Sequence, residues 1–196
     1  MVKSLLTAAL LAAVSISTAF AGDIKSSVSE KDLSKHRHTP LGLYLSPTDA
    51  NTALQADPGI IFLDVRDPVE ISFVGHAKGV DAIVPLGIVT HDFDAKSGKY
   101  KMVGNAGFLT QAKAAIAAKN GDKSTPIFLI CRSGGRSAVA AKHLIKAGYT
   151  NVWNLVEGFE GDKDKATGAR SINGWRNAGL PWTYKIPAKA GWRKAQ

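Results

Sequence analysis

The chain has 196 residues, 25 Lys and Arg against 16 Asp and Glu, and a formal net charge of +9. The length suits one domain with extensions. The charge draws anions, but no aromatic-interleaved basic stripe accompanies it, which sets nucleic acid aside as a partner. The single cysteine, Cys131, excludes an internal disulfide.

The first residues look like an address rather than a fold. Lys3 is followed by an apolar run over 5–16, too short for a bilayer span, and Ala19-Phe20-Ala21 is a small-x-small cleavage site. Residues 1–21 are read as a cleaved signal peptide that exports the chain, most simply to a bacterial periplasm. No cysteine stands near residue 21 to carry a lipid anchor, and no later stretch is long and apolar enough to span a membrane. Residues 22–40 are polar without apolar period, as in a flexible leader.

The remaining elements follow in order. Ser46-Pro47 starts a short helix, with Ser as cap and Pro at the first position, and Pro58-Gly59 breaks it. The apolar run 60–64 reads as a strand buried on both faces, with a polar end at 64–67. A second short apolar run covers 80–86, and 90–101 is polar, a loop. Residues 108–118 place Phe108, Ala112 and Ile116 on one helical side, and Asn120-Gly121 stops that helix. A strand over 126–130 leads to Cys131. A helix over 135–147 follows, with Val139, Leu144 and Ala147 toward a core. Then come a strand over 152–156, a Gly- and Lys-rich loop over 157–171, and a last short helix over 173–178. Strands alternating with helices predict an α/β fold with a mostly parallel central sheet flanked by helices.

Cys131 carries the chemistry. The apolar strand Ile127-Phe128-Leu129-Ile130 ends on it, and Arg132-Ser133-Gly134-Gly135-Arg136-Ser137 opens the next helix. In parallel α/β sheets, sites lie at the carboxyl ends of strands. The helix N-terminus, Arg132 and Arg136 all favour negative charge at the sulfur. Gly134 and Gly135 let successive N–H groups turn inward as a nest for an anion. An inert buried cysteine would have apolar neighbours on both sides, and Cys131 has them on one only. Two chemistries use such a device: attack on phosphorus, as in cysteine phosphatases, and attack on sulfur through a persulfide. The phosphatase cup needs Cys-x5-Arg, whereas here Ser137 takes that position and the arginine comes one residue early. A smaller cup favours sulfur. No metal ligand spacing is present, since His36 and His38 lie in the expected leader.

These residues resemble the rhodanese family of sulfurtransferases. The segment from Cys131 to Ser137 is similar to its active-site loop. Ile61-Phe62-Leu63-Asp64-Val65-Arg66 followed by Glu70 resembles its first signature. Gly75-His76-Ala77-Lys78-Gly79-Val80 with Ile83-Val84-Pro85-Leu86, and the stretch V-W-N-L-V-E-G-F over 152–159, resemble two further motifs. Trp175 to Pro181 resembles the closing helix. The likeness covers 41–186 as one rhodanese-like domain and leaves 187–196 as a basic tail. It implies that Cys131 takes a sulfane sulfur from thiosulfate or a similar small anionic donor. The amides of 132–137 would hold the persulfide, and an external thiol or cyanide would collect the sulfur, with no cofactor. Arg132 and Arg136 would bind donor oxygens, with Ser133, Gly134, Gly135 and Ser137 completing the loop. Arg66 with Glu70 or Asp64 would form a supporting ion pair.

Other readings stay open. One is a non-catalytic persulfide carrier or binding module for a periplasmic partner. Another is a small phosphatase or arsenate reductase, although arsenate reduction needs further thiols. The chain departs from a minimal family domain at 88–105 and at 160–171. The second insertion carries Lys163, Lys165 and Arg170 and is read as a solvated loop or a basic lid. Trp175 and Trp182 are assigned to core or rim packing.

Overall fold

Two apolar segments, Ile61–Asp64 (β2) and Ile127–Ile130 (β7), form the centre of the molecule, and every residue in them is buried. The computed structural model describes residues 24–192, so the expected signal peptide lies outside the described residues. β2 and β7 pair in parallel, from Ile61 opposite Ile127 to Asp64 opposite Ile130. Val152–Leu155 (β8) and Tyr44–Leu45 (β1) extend the sheet on one side, and Ala82–Ile83 (β4) extends it on the other. The order is β1-β8-β7-β2-β4, all parallel.

Strand alternation sends side chains to two faces even though the sequence is apolar throughout. Ile61, Leu63, Ile127 and Leu129 pack with Phe108–Ala117 (α3) and Gly135–Lys146 (α4). Phe62, Phe128 and Ile130 pack on the other face with Ala50 of Pro47–Ala56 (α1), Ile71 of Pro68–Val74 (α2), Phe159 and Trp175. The helix ends obey local chemistry. The Ser46 hydroxyl accepts from the Asp49 amide at 3.2 Å, and Asp67 with Glu70 forms a capping box at α2. Each of these helices carries proline in its first turn.

Five regions differ from the sequence reading. The expected loop over 90–101 is an antiparallel hairpin of Gly87–Asp94 (β5) and Lys99–Gly104 (β6). Its alternation is short, with only Tyr100 and Met102 set against Lys99 and Lys101, and every residue of β6 is exposed, so no buried face marks it. Residues 24–40 contain 3-10 turns at Glu30–Asp32 and Lys35–Arg37 and are folded onto the domain instead of trailing from it. The Ser27 amide donates to the Tyr44 carbonyl at 3.0 Å, and Arg37 pairs with Asp162. The stretch 173–178 is a series of turns, not a helix, with the Ala178 amide donating to the Gly174 carbonyl at 2.9 Å. In α4, Val139 is exposed, while Ala138, Ala140, Ala141 and Leu144 are buried. Leu144 and Ala147 face the core as expected, and only Val139 turns away from it. Finally, the tail reaches the edge of the sheet. The Ile83 amide donates to the Ala190 carbonyl at 2.8 Å, and Trp192 Nε1 donates to Gln111 at 3.1 Å. That contact pairs part of an otherwise open strand edge. His76–Ala77 (β3) and Trp182–Thr183 (β9) form a small antiparallel pair that places Trp182 at the rim, while Trp175 is fully buried.

Candidate active site

Cys131 follows the last residue of β7 and is 1 % exposed. The chain then turns through Arg132 and Ser133 to Gly134, which has φ of +85° and caps α4. A side chain at Gly134 would place its Cβ 2.0 Å from the Val156 carbonyl oxygen, and one at Gly158 would lie 2.6 Å from the Cys131 carbonyl oxygen. Only glycine combines that backbone with that closeness. The two segments therefore interlock. The amide of Phe159 donates to the Cys131 carbonyl at 2.8 Å, and those of Glu160 and Gly161 donate to the Arg132 carbonyl at 3.0 and 3.1 Å.

The outer turn thus consumes the carbonyls of the loop and leaves its amides. Among the described residues, none of the N–H groups of 132–137 donates to another backbone group. Together with the N-terminus of α4 they form a ready site for negative charge beside Sγ.

Ser137 is buried in the first turn of α4. Its hydroxyl lies 2.6 Å from Asn154 Oδ1, 3.1 Å from the Gly134 carbonyl and 3.3 Å from Cys131 Sγ. Asn154 Nδ2 in turn donates to the Arg37 carbonyl at 3.0 Å and to the Gly134 carbonyl at 3.2 Å. This fixes the amide orientation and directs its oxygen at Ser137. Asn154 was missed from sequence. Its signal was a polar residue in the middle of the apolar strand V-W-N-L-V, which demands buried partners.

The expected charged residues are all near the loop, but their partners differ from expectation. Arg66 is buried and binds Asp64, with Nη2 at 2.6 Å from Oδ2, and also donates to the Gly75 carbonyl at 2.9 Å. Its guanidinium lies 4.4 Å from the centre of the Phe159 ring. It thus ties β2, the end of α2 and the outer turn together. Glu70 does not pair with Arg66. It grips Arg136 through both oxygens, one contact being 2.7 Å from Nη2. Arg132 Nε donates to Glu160 at 2.9 Å. Burial pushes the Glu70 carboxyl up, but the Arg136 hydrogen bonds and the charges of Arg136 and Arg66 hold it below the usual carboxylate range. Burial likewise opposes the charge on Arg136, and Glu70 raises it above the ordinary value. Both arginines therefore reach the site already matched by carboxylates, and the unpaired amides supply most of the uncompensated positive potential.

Cys131, Arg132, Ser133, Gly135 and Arg136 line a cavity of about 530 Å³. Glu70 and Val74 of α2, Glu160, and His36 from the N-terminal segment complete that wall. The opposite side comes from the hairpin, where Val89, Lys99, Tyr100 and Met102 face the same space. The hairpin is anchored by Asp67, whose Oδ1 accepts from Val69 and whose Oδ2 accepts from the Val89 amide at 2.6 Å. The insertion at 88–105 is thus a wall of the site. Of the insertion at 160–171, Arg170 is near enough to Arg132 and Arg136 to feel their charge; burial and then Arg132 push it below the ordinary guanidinium range.

A thiol at a strand end, a Gly-bearing loop and a helix N-terminus behind it define the class, and the sequence comparison agrees. The model of the Rhodanese-like domain matches residues 46–165, and the chain belongs to the rhodanese family. A protein of Coxiella burnetii called thiosulfate sulfurtransferase GlpE is 30% identical over 88 residues, which is 44% of this chain and 82% of that one. An uncharacterized protein of Rickettsia prowazekii, RP600, is 43% identical over 61 residues, 31% of this chain. The match spans 43% of that relative's own length. The crystal structure of Rv0390 from M. tuberculosis superposes with a TM-score of 0.57 at 30% identity, covering 72% of this chain and 97% of that one.

Proposed function

We propose that the protein is an exported sulfurtransferase that works through a persulfide on Cys131. The row of unpaired amides over 132–137 beside a buried sulfur carries this reading. The Cys131 thiolate attacks the outer sulfur of thiosulfate or a similar donor. The donor S–S bond breaks, its electron pair leaves with sulfite, and Cys131 gains one sulfur as a terminal anion. The loop amides and the α4 N-terminus hold that anion. Cyanide or an acceptor thiolate then attacks the terminal sulfur, leaves as thiocyanate or as its own persulfide, and returns Cys131 to the thiolate. Arg132 and Arg136 guide the donor's oxygens while remaining tied to Glu160 and Glu70.

The Coxiella relative's name supports thiosulfate as the donor class. A second reading is a persulfide carrier that loads once and delivers to a specific partner, favoured by the depth of Cys131. Intact mass after incubation with thiosulfate, before and after cyanide, tests the first. A gain of one sulfur that cyanide removes, with steady thiocyanate production, supports the transferase. Loading without turnover supports the carrier, and no loading removes both. Export to the periplasm rests on the sequence of residues 1–21 and predicts a mature start at Gly22, read by mass spectrometry of the periplasmic fraction.

A further inference from the structure

Large apolar side chains left in water cluster beside the cavity. Val69 and Phe73 of α2 are 59 % and 80 % exposed, and Phe93 and Tyr100 of the hairpin are 58 % and 60 % exposed. Val69 and Phe73 share a helical face, being four residues apart. On the hairpin, Val89 is opposite Met102 and Phe93 is opposite Tyr100, so these four side chains share one face. The Phe93 and Tyr100 rings meet edge to face at 5.6 Å. Val89, Tyr100 and Met102 of that face also line the cavity floored by Cys131. The hairpin side of this surface is therefore continuous with the thiol, α2 reaches the same cavity through Glu70 and Val74, and concentrated exposure of this kind marks an interaction surface.

We propose that α2 and the hairpin form a docking face for an acceptor protein, apolar at its centre and acidic at its rim, that inserts a cysteine thiolate into the cavity. This rests on the sulfur-transfer reading. Three observations select that occupant. Cys131 is the only cysteine in the chain, so an acceptor thiol must come from another molecule. The hairpin carries Lys96, Lys99 and Lys101 against Asp92 and Asp94, Arg132 stands half-exposed at the mouth, and the chain as a whole is +9, a balance that attracts an acidic partner. The same charge opposes a second copy of this chain. A membrane laid on the patch would seal the cavity against any acceptor in solution. Because Sγ lies at the floor, the acceptor cysteine has to project from a loop or a chain end.

Short synthetic peptides test the face. One carries a single central cysteine flanked by leucine and phenylalanine with glutamates at both ends, and a second replaces the glutamates with lysines. Their binding, read by fluorescence anisotropy with the peptide thiol alkylated, does not depend on catalysis. Sulfur transfer to the free thiols is measured alongside, with cyanide turnover as control. The glutamate peptide is expected to bind about tenfold more tightly than the lysine one, a difference of about 1.4 kcal/mol. Phe73→Glu with Phe93→Glu should remove that preference and slow transfer to the peptide, with cyanide turnover unchanged. Both side chains are exposed and neither lines the cavity. Equal binding of the two peptides, or no effect of the double variant, overturns the proposal. So does dimerisation, or adhesion to phosphatidylglycerol vesicles, that the double variant abolishes. If peptide binding behaves as expected but no persulfide forms, the docking face stands and the sulfur-transfer reading falls.

Discussion

Glu70 and Arg136 are 66 residues apart in the chain and meet as a two-pronged ion pair across the mouth of the Cys131 cavity. Glu70 also closes the capping box of α2, with the Asp67 amide donating to it at 3.3 Å. One carboxylate thus sets the start of α2 and the direction of the arginine in the first turn of α4. Both partners are about four-fifths removed from water. Glu70→Gln should destabilise the fold by about 1–3 kcal/mol, since it leaves a partly buried guanidinium without its counter-charge.

The pH dependence of that effect has a fixed sign. The Glu70 carboxyl is held below the usual carboxylate range in the folded chain. Its contribution is therefore fully present above the ordinary carboxylate pKa and is lost as pH falls through the depressed folded value. Urea midpoints of the parent and Glu70→Gln should differ at neutral pH and converge in acid. A gap that stays constant down to the acid limit would show that the carboxylate charge is not what matters.

Cys131→Ser should fold like the parent and carry no sulfur. Serine fits the same buried position, and the hydroxyl can still meet Ser137. Circular dichroism and a thermal melt check folding, and intact mass after thiosulfate checks loading. Loading retained in this variant would end the nucleophile assignment.

Gly134→Ala and Gly158→Ala should each cost well over about 1 kcal/mol, because positive φ and a backbone clash act together. Urea unfolding measures the loss. The same experiment on Gly79→Ala, which also has positive φ but meets nothing within 4 Å, should show a smaller loss. The difference between them isolates the interlock from the dihedral.

Asn154→Ala takes one hydrogen bond each from the Ser137 hydroxyl and the Gly134 carbonyl and removes the donor to the Arg37 carbonyl, at a cost of about 1–3 kcal/mol. Removing residues 22–40 should also destabilise the domain, since the described part of that segment is bound through Tyr44, Asn154 and Asp162. Hydrogen exchange at the start of α4 should rise in both variants. Unchanged exchange in the truncation would mean that the segment rests on the loop without supporting it.

What the sequence revealed was what is local. Cys131, its glycines and the helix behind it are contiguous, so a strand end, a turn and a cap could be read together. Asp64 and Arg66 are two residues apart and pair directly. The partners of Arg132 and Arg136 were not legible because Glu160 and Glu70 arrive from distant loops, and composition does not say which acid meets which base. The hairpin escaped because its apolar alternation is brief, Tyr100 and Met102 against Lys99 and Lys101, and faces an open cavity instead of a core. The N-terminal segment escaped because 3-10 turns of three residues leave no periodicity. Its anchors beside the thiol, at Asn154 and Asp162, are single contacts more than a hundred positions away.

Those separations set an order of assembly. The Arg37 carbonyl meets Asn154 across 117 residues, and the Arg37 side chain meets Asp162 across 125. Arg37 is synthesised early, yet it has nothing to grasp until β8 and the turn beyond it exist. Contacts of such long range form after the local ones. The segment around Arg37 is thus among the last to settle, and it settles beside the thiol. A chain cut short before residue 154 would lack both the turn at 158–161 that holds the loop and the clasp that holds Ser137 against the sulfur.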